Sequence, residues 1–126
     1  MYKAGIITAS DKGSQGLRED KGGPAIREIL SGFADTFEVV DYRIVPDEKV
    51  RLTSAMIDMA DIQKIDLIVT TGGTGFSKRD VTPEATLEVI ERRTPGIPEA
   101  MRSISLAVTM RAMLSRAEAG IRGNSI

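Results

Sequence analysis

The stretch IDLIVTTGGTGFSKRDVTPEAT, residues 65–86, decides the reading of this chain. Asp66 to Thr71 is an apolar run ending in two threonines. It does not alternate with polar residues, as expected of a central strand in a parallel sheet. Gly72, Gly73 and Gly75 follow. Then Thr82-Pro83-Glu84 reads as a helix start, with Thr as N-cap, Pro at the first helical position and an acid in the first turn. A strand, a glycine loop and a helix in that order are the repeating unit of an α/β fold.

The flanking segments extend the pattern. Residues 4–9 (AGIITA) predict a short buried strand, and 10–22 a long polar loop. A helix is predicted over 23–33, with Ala25, Ile26, Ile29, Leu30 and Phe33 on one face and Pro24 in its first turn. FEVVDYRIV (37–45) is rich in β-formers and Pro46 ends it. A second helix is predicted from about 48 to 63, with Leu52, Ala55, Met56, Met59 and Ala60 at helical spacing. The helix after the glycine loop is predicted to end near Arg93, TPGIP (94–98) to turn, and a last helix to run from Glu99 to about Met110. The whole predicts one domain over 1–126, an open and mostly parallel sheet covered by helices on both faces. Such sheets bind ligands at the carboxyl ends of their strands. The loops at 10–22, 46–48 and 72–81 should therefore share one edge.

Those loops carry distinct chemistry. Glycines at 72, 73 and 75 permit left-handed backbone and close approach of a ligand, and successive amides in such a turn cradle an anion. Thr70, Thr71 and Thr74 add hydroxyls, and Lys78 and Arg79 add positive charge. Asp80 fits a phosphate only if a divalent cation lies between them, and Mg²⁺ binds in that way. The loop lacks the Gly-Lys-Ser/Thr ending of a Walker A motif and the third glycine of a dinucleotide fingerprint. In the second loop, Asp47 reads either as an N-cap or as a partner for Asp80 at an adjacent strand end. The first loop, with Ser10, Asp11, Lys12, Ser14 and Arg18 to Lys21, reads either as a solvated loop or as a closing lid. Met101, Ile104, Leu106, Val108, Met110 and Met113 read as core or subunit contact. Glu91 to Arg93 read as a solvated helix end.

Composition narrows the chemistry. The chain has no histidine and no cysteine. Ser-His-Asp and Cys-His mechanisms, disulfides and thiolate metal sites are excluded. Asp, Glu, Lys, Arg, hydroxyls and amides remain, a set suited to phosphoryl or nucleotidyl transfer. A net charge of −1 argues against a general nucleic-acid binder. No apolar run approaches the roughly 20 residues of a membrane span, and a cytoplasmic location is expected.

TTGGTGFSKRDVTPEAT closely resembles the signature of the molybdenum-cofactor biosynthesis family whose members adenylylate molybdopterin. ASDKGSQGLREDKGGPAIREIL, RIVPDE, PGIPEAMRSIS and LSRAEAGIRGNSI carry the resemblance across nearly the whole chain. It implies a three-layer α/β/α sandwich, usually trimeric. It implies Mg²⁺-dependent transfer of AMP from ATP to the terminal phosphate of molybdopterin, with no tightly bound cofactor. Hand-over to a molybdenum-inserting partner is implied as well. The family's two important acids fall on Asp47 and Asp80, and its pterin and phosphate loop on Thr71 to Gly75. Ser10 and Asp11 match the loop after the first strand. Glu99, Arg102 and Ser103 match a segment lining the pocket, and Ser115 and Gly120 match its rim. The family continues into a further strand, an LPG-x-P loop and a closing helix, which are expected to be absent from 1–126. A non-catalytic molybdopterin carrier of the same family is the alternative reading.

Overall fold

A computed structural model describes all 126 residues. Strand β1 (Tyr2–Ala9) lies between β2 (Phe37–Val45) and β3 (Leu67–Thr71) and pairs in parallel with both. Six successive β1 residues, Ala4 to Ala9, are buried, as a strand covered on both faces and both edges must be. β3 is therefore not central. It is an edge strand of half-buried residues. Its outer edge is met only at its start, where the Ile126 N–H donates to the Asp66 carbonyl and the Ile68 N–H to the Ile126 carbonyl. The unbroken apolar run marks burial from above and below, and says nothing about lateral neighbours.

Side chains alternate across β1. Ile7 and Ala9 join a core with Val45, Leu52, Met56, Met59, Ile65 and Val89, supplied largely by α3 (Lys49–Ile57), its continuation and α4 (Thr82–Val89). Thr8 points the other way and donates its hydroxyl to Asp20, just before α2 (Gly22–Ser31). Helices thus cover both faces, and the three-layer α/β arrangement stands. Loops after all three strands open on one edge. β2 and β3 are not neighbours, however. Their loops meet across the end of β1.

Several boundaries move for local reasons. The loop at 10–22 contains a one-turn helix, α1 (Asp11–Ser14), capped by the Ser10 hydroxyl accepting from the Gly13 N–H. α2 stops at Ser31, and Ile29 and Phe33 are exposed, so the predicted apolar face buries little beyond Leu30. α3 becomes a π-helical turn at Asp58–Ile62, and Lys64 at φ 57° terminates it. All five residues predicted to face the core there are buried. α4 ends at Val89, where Ile90 turns extended. Arg92–Arg93 then form β4, antiparallel to β5 (Gly120–Ile121). The residues Glu91 to Arg93 are exposed as expected, but they are not a helix end: Glu91 is in a bend and Arg92–Arg93 are strand, held by a pairing nearly thirty residues away. α5 (Gly96–Leu106) starts three residues before Glu99 and is followed by a 3₁₀ segment at Met110–Leu114. Met101, Ile104, Leu106, Val108, Met110 and Met113 are all exposed, which overturns their reading as core.

Candidate active site

Gly72 and Gly73 have φ of 88° and 72°, the left-handed region that disfavours other residues. Space enforces the same choice. A Cβ on Gly72 would lie 2.4 Å from the Ala9 carbonyl oxygen, and one on Gly73 2.3 Å from the Thr82 hydroxyl. Thr82 is almost fully buried, and it is not the N-cap. Val81 holds that position. Instead its Oγ1 donates to the Gly72 carbonyl at 2.9 Å and its N–H to the Gly73 carbonyl at 3.1 Å. The amides of Gly72, Gly73, Thr74 and Gly75 have no protein acceptor. Those free donors are what an anion-binding turn requires.

The acids around the loop differ in how far they are already committed. Asp47 and Asp11 clasp each other: the Asp11 N–H donates to Asp47 Oδ2 and the Asp47 N–H to Asp11 Oδ1, both at 2.9 Å. Asp47 does not cap α3, whose N-cap is Glu48, so the capping alternative falls. Arg79 binds both carboxylate oxygens of Asp11, at 3.0 and 2.8 Å. That contact holds the Asp11 carboxyl below its ordinary range. Burial, with repulsion from Asp11 and Asp80, pushes Asp47 up. Asp80 accepts one bond, from the Ser77 N–H at 3.0 Å. Asp47 Oδ1 lies 3.1 Å from where a Gly73 Cβ would be, and Asp80 Oδ2 2.8 Å from the equivalent point on Gly75. The two acids thus flank the free amides. No group of three acids is gathered to hold a metal by itself. Two carboxylates, one with poorly compensated charge, suit a Mg²⁺ that takes its remaining ligands from phosphate and water.

Beside this loop opens a cavity of about 440 Å³, whose lining includes Thr70, Thr71, Gly72 and Thr74 together with Leu67, Val69, Ile97 and Met101. Ser115 and Gly120 also line it. Glu99, Arg102 and Ser103 do not. Glu99 and Ser103 are exposed, while Arg102 Nη1 donates to the Ser115 and Ala117 carbonyls at 3.3 and 3.0 Å. Arg102 therefore shapes the rim from behind. Neither Asp47 nor Asp80 lines the cavity. Lys78 is exposed, and the Ser10 hydroxyl is spent on capping α1.

Residues 5–126 match the family model described as "Probable molybdopterin binding domain". This chain belongs to that family. The molybdopterin-binding domain is 45% identical over 122 residues to a molybdopterin adenylyltransferase of Helicobacter pylori, covering 97% of this chain and 69% of the relative. It is 40% identical over 124 residues to the enzyme of that name from Escherichia coli, covering 98% and 64%. Its backbone superposes on the molybdopterin biosynthesis enzyme MoaB of Thermus thermophilus with a TM-score of 0.92 at 47% identity, over 99% of this chain and 77% of that one.

Three residues hold backbone in place here in ways their sequence positions did not show. Thr82 looked like a cap. Arg116 holds the glycine loop by its backbone. Asp20 collects hydrogen bonds from Thr8, Tyr42, Gly22 and Gly23. Only Asp20 had a readable signal, since Asp two residues before a glycine is an Asx-turn pattern.

Proposed function

We propose that this domain transfers AMP from ATP to the terminal phosphate of molybdopterin, releasing pyrophosphate, within molybdenum cofactor biosynthesis. The observation that carries the reading is the glycine loop with its carbonyls turned inward and its amides free, flanked by Asp47 and Asp80. A phosphate oxygen of the pterin attacks the α-phosphorus of ATP, a new P–O bond forms, and the bond to the β-phosphate bridging oxygen breaks. The nucleophile is already ionised at neutral pH, so no histidine base is required. Loop amides hold phosphate oxygens in line, and Lys78 adds positive charge at the entrance. The cavity beside β3 is of a size for a small ring system, with a largely apolar lining that includes threonine and serine hydroxyls. Mg²⁺ would be held by Asp80 and Asp47 and would neutralise charge on the phosphates.

The exposed apolar side chains of α5, the 3₁₀ segment and the turn between them, Met101, Ile104, Val108, Met110 and Met113, support assembly with further copies, and a trimer belongs to this proposal. No helix is long and apolar enough to cross a membrane. A cytoplasmic location and delivery of the product to a molybdenum-inserting partner belong to the same proposal. The test is to incubate the protein with molybdopterin, ATP and Mg²⁺ and to measure pyrophosphate. Release stoichiometric with adenylylated pterin is expected. Tight pterin binding without pyrophosphate would leave the carrier reading instead.

A further inference from the structure

We propose that Arg116 is the positioning residue that aims the amides of the glycine loop at the ligand. The proposal rests on reading that loop as an anion site. Four consecutive carbonyls of the loop are tied to the protein. Thr82 takes Gly72 and Gly73, as above. Arg116 takes the next two: its N–H donates to the Thr74 carbonyl at 2.8 Å and its Nε to the Gly75 carbonyl at 2.7 Å. In a planar trans peptide the C=O and the following N–H point in opposite directions. Fixing the carbonyls of residues 72 to 75 therefore fixes the opposed amides of Gly73, Thr74, Gly75 and Phe76. Those four have no protein acceptor.

The same guanidinium closes the far side of the loop. Arg116 Nη2 donates to the Asp80 carbonyl at 2.7 Å. One side chain thus spans from the glycine turn to the backbone of an acid proposed to act on phosphate. A planar fork of five donors can do this, whereas an ammonium cannot reach both carbonyls in fixed geometry. Arg116 is itself held, because Arg102 grips the carbonyls on either side of it, at Ser115 and Ala117. The competing explanation is that Arg116 only anchors α4 through Glu84, at 2.7 Å. That pair is substantially exposed, with side chains 35% and 47% accessible, and exposed pairs contribute little.

Four proteins separate the two: wild type, Arg116→Ala, Arg116→Lys and Glu84→Gln, each checked for a cooperative thermal transition. Amide shifts and hydrogen exchange of residues 73–76 are followed by NMR, without ligand and during titration with inorganic pyrophosphate. Arg116→Ala and Arg116→Lys keep the main-chain bond to Thr74 but lose the side-chain hold on the Gly75 and Asp80 carbonyls, so they should move the Phe76 amide most and weaken pyrophosphate at least tenfold. Glu84→Gln should stay within twofold of wild type. Arg116→Lys keeps the charge and carries the test if Arg116→Ala does not fold. An unmoved Phe76 amide in the Arg116 variants, or an equal loss in Glu84→Gln, would overturn the proposal. The ligand-free shifts decide the role of Arg116 whichever way the AMP-transfer assay comes out.

Discussion

Asp20 and Asp47 stand at the same edge of the sheet and have opposite fates. Asp20 accepts from the Thr8 hydroxyl at 2.8 Å, from the Gly22 and Gly23 amides and from the Tyr42 hydroxyl. Burial pushes its carboxyl up, but these donors outweigh burial and bring it below its ordinary value. Burial, together with the hydrogen bond to the Asp20 carboxylate and its negative charge, pushes the Tyr42 hydroxyl up to about 12. Asp47 accepts one backbone N–H and faces two other acids, and its carboxyl is raised. The first carboxylate is consumed in closing the polar loop onto β1 and β2. The second is left with one backbone donor and two like-charged neighbours. Hydrogen-bond accounting, rather than residue type, separates an acid satisfied by the protein from one that is not.

The comparison is broken most severely at the unspent acids. Asp80→Asn should lower AMP transfer by about 10²–10³-fold, the scale seen when one electrostatic contact to a transition state is removed. Molybdopterin binding should change little. Steady-state transfer alongside equilibrium pterin binding checks this, and unchanged turnover would remove Asp80 from the chemistry. Asp20→Asn should do the reverse. It replaces an all-acceptor group with one that cannot satisfy the same donors, and should cost about 1–3 kcal/mol of stability. Urea unfolding reads this directly. Because the folded carboxyl of Asp20 lies below its unfolded value, its contribution is present above about pH 4 and is lost as pH falls further. Asp41, lowered by Arg43 and Gln63 against burial, acts in the same direction. Asp20→Asn should therefore flatten the fall in stability below pH 4 without affecting neutral pH trends.

The smallest effect belongs to Arg79, whose charge is already engaged by Asp11 at the surface. Arg79→Ala should leave the melting temperature unchanged, as exposed pairs do, and raise KM for ATP only a few-fold. A loss as large as that of Asp80→Asn would mean that Arg79 leaves Asp11 and grips phosphate directly.

Much of the site was legible because it is local. Gly72, Gly73 and Asp80 lie within nine residues, and the glycines announce a left-handed turn by their identity alone. The buried face of α3 was legible for the same reason, its side chains recurring at helical spacing. The exposed faces of α2 and α5 have comparable spacing. They show that apolar periodicity identifies a face that seeks cover without naming what covers it. β4 and β5 were not legible. Two residues at 92–93 have no period, and they become strand only because Gly120 lets the 120–121 segment pass beneath the Arg92 carbonyl, where a Cβ would be 2.6 Å from its oxygen.

Sequence alone determined the α/β class and the glycine turn and singled out Asp47 and Asp80 as acids beside it, since each depends on residue type within a few neighbours. Tertiary structure decided which strand is central, which acid is already satisfied and which way the loop amides face. Those properties depend on partners far along the chain. Thr82 reaches back ten residues to Gly72, and Arg116 reaches across forty-one to Gly75. A peptide unit in a glycine-rich turn has no intrinsic preference for the direction of its N–H, so the direction is set by whatever takes its carbonyl.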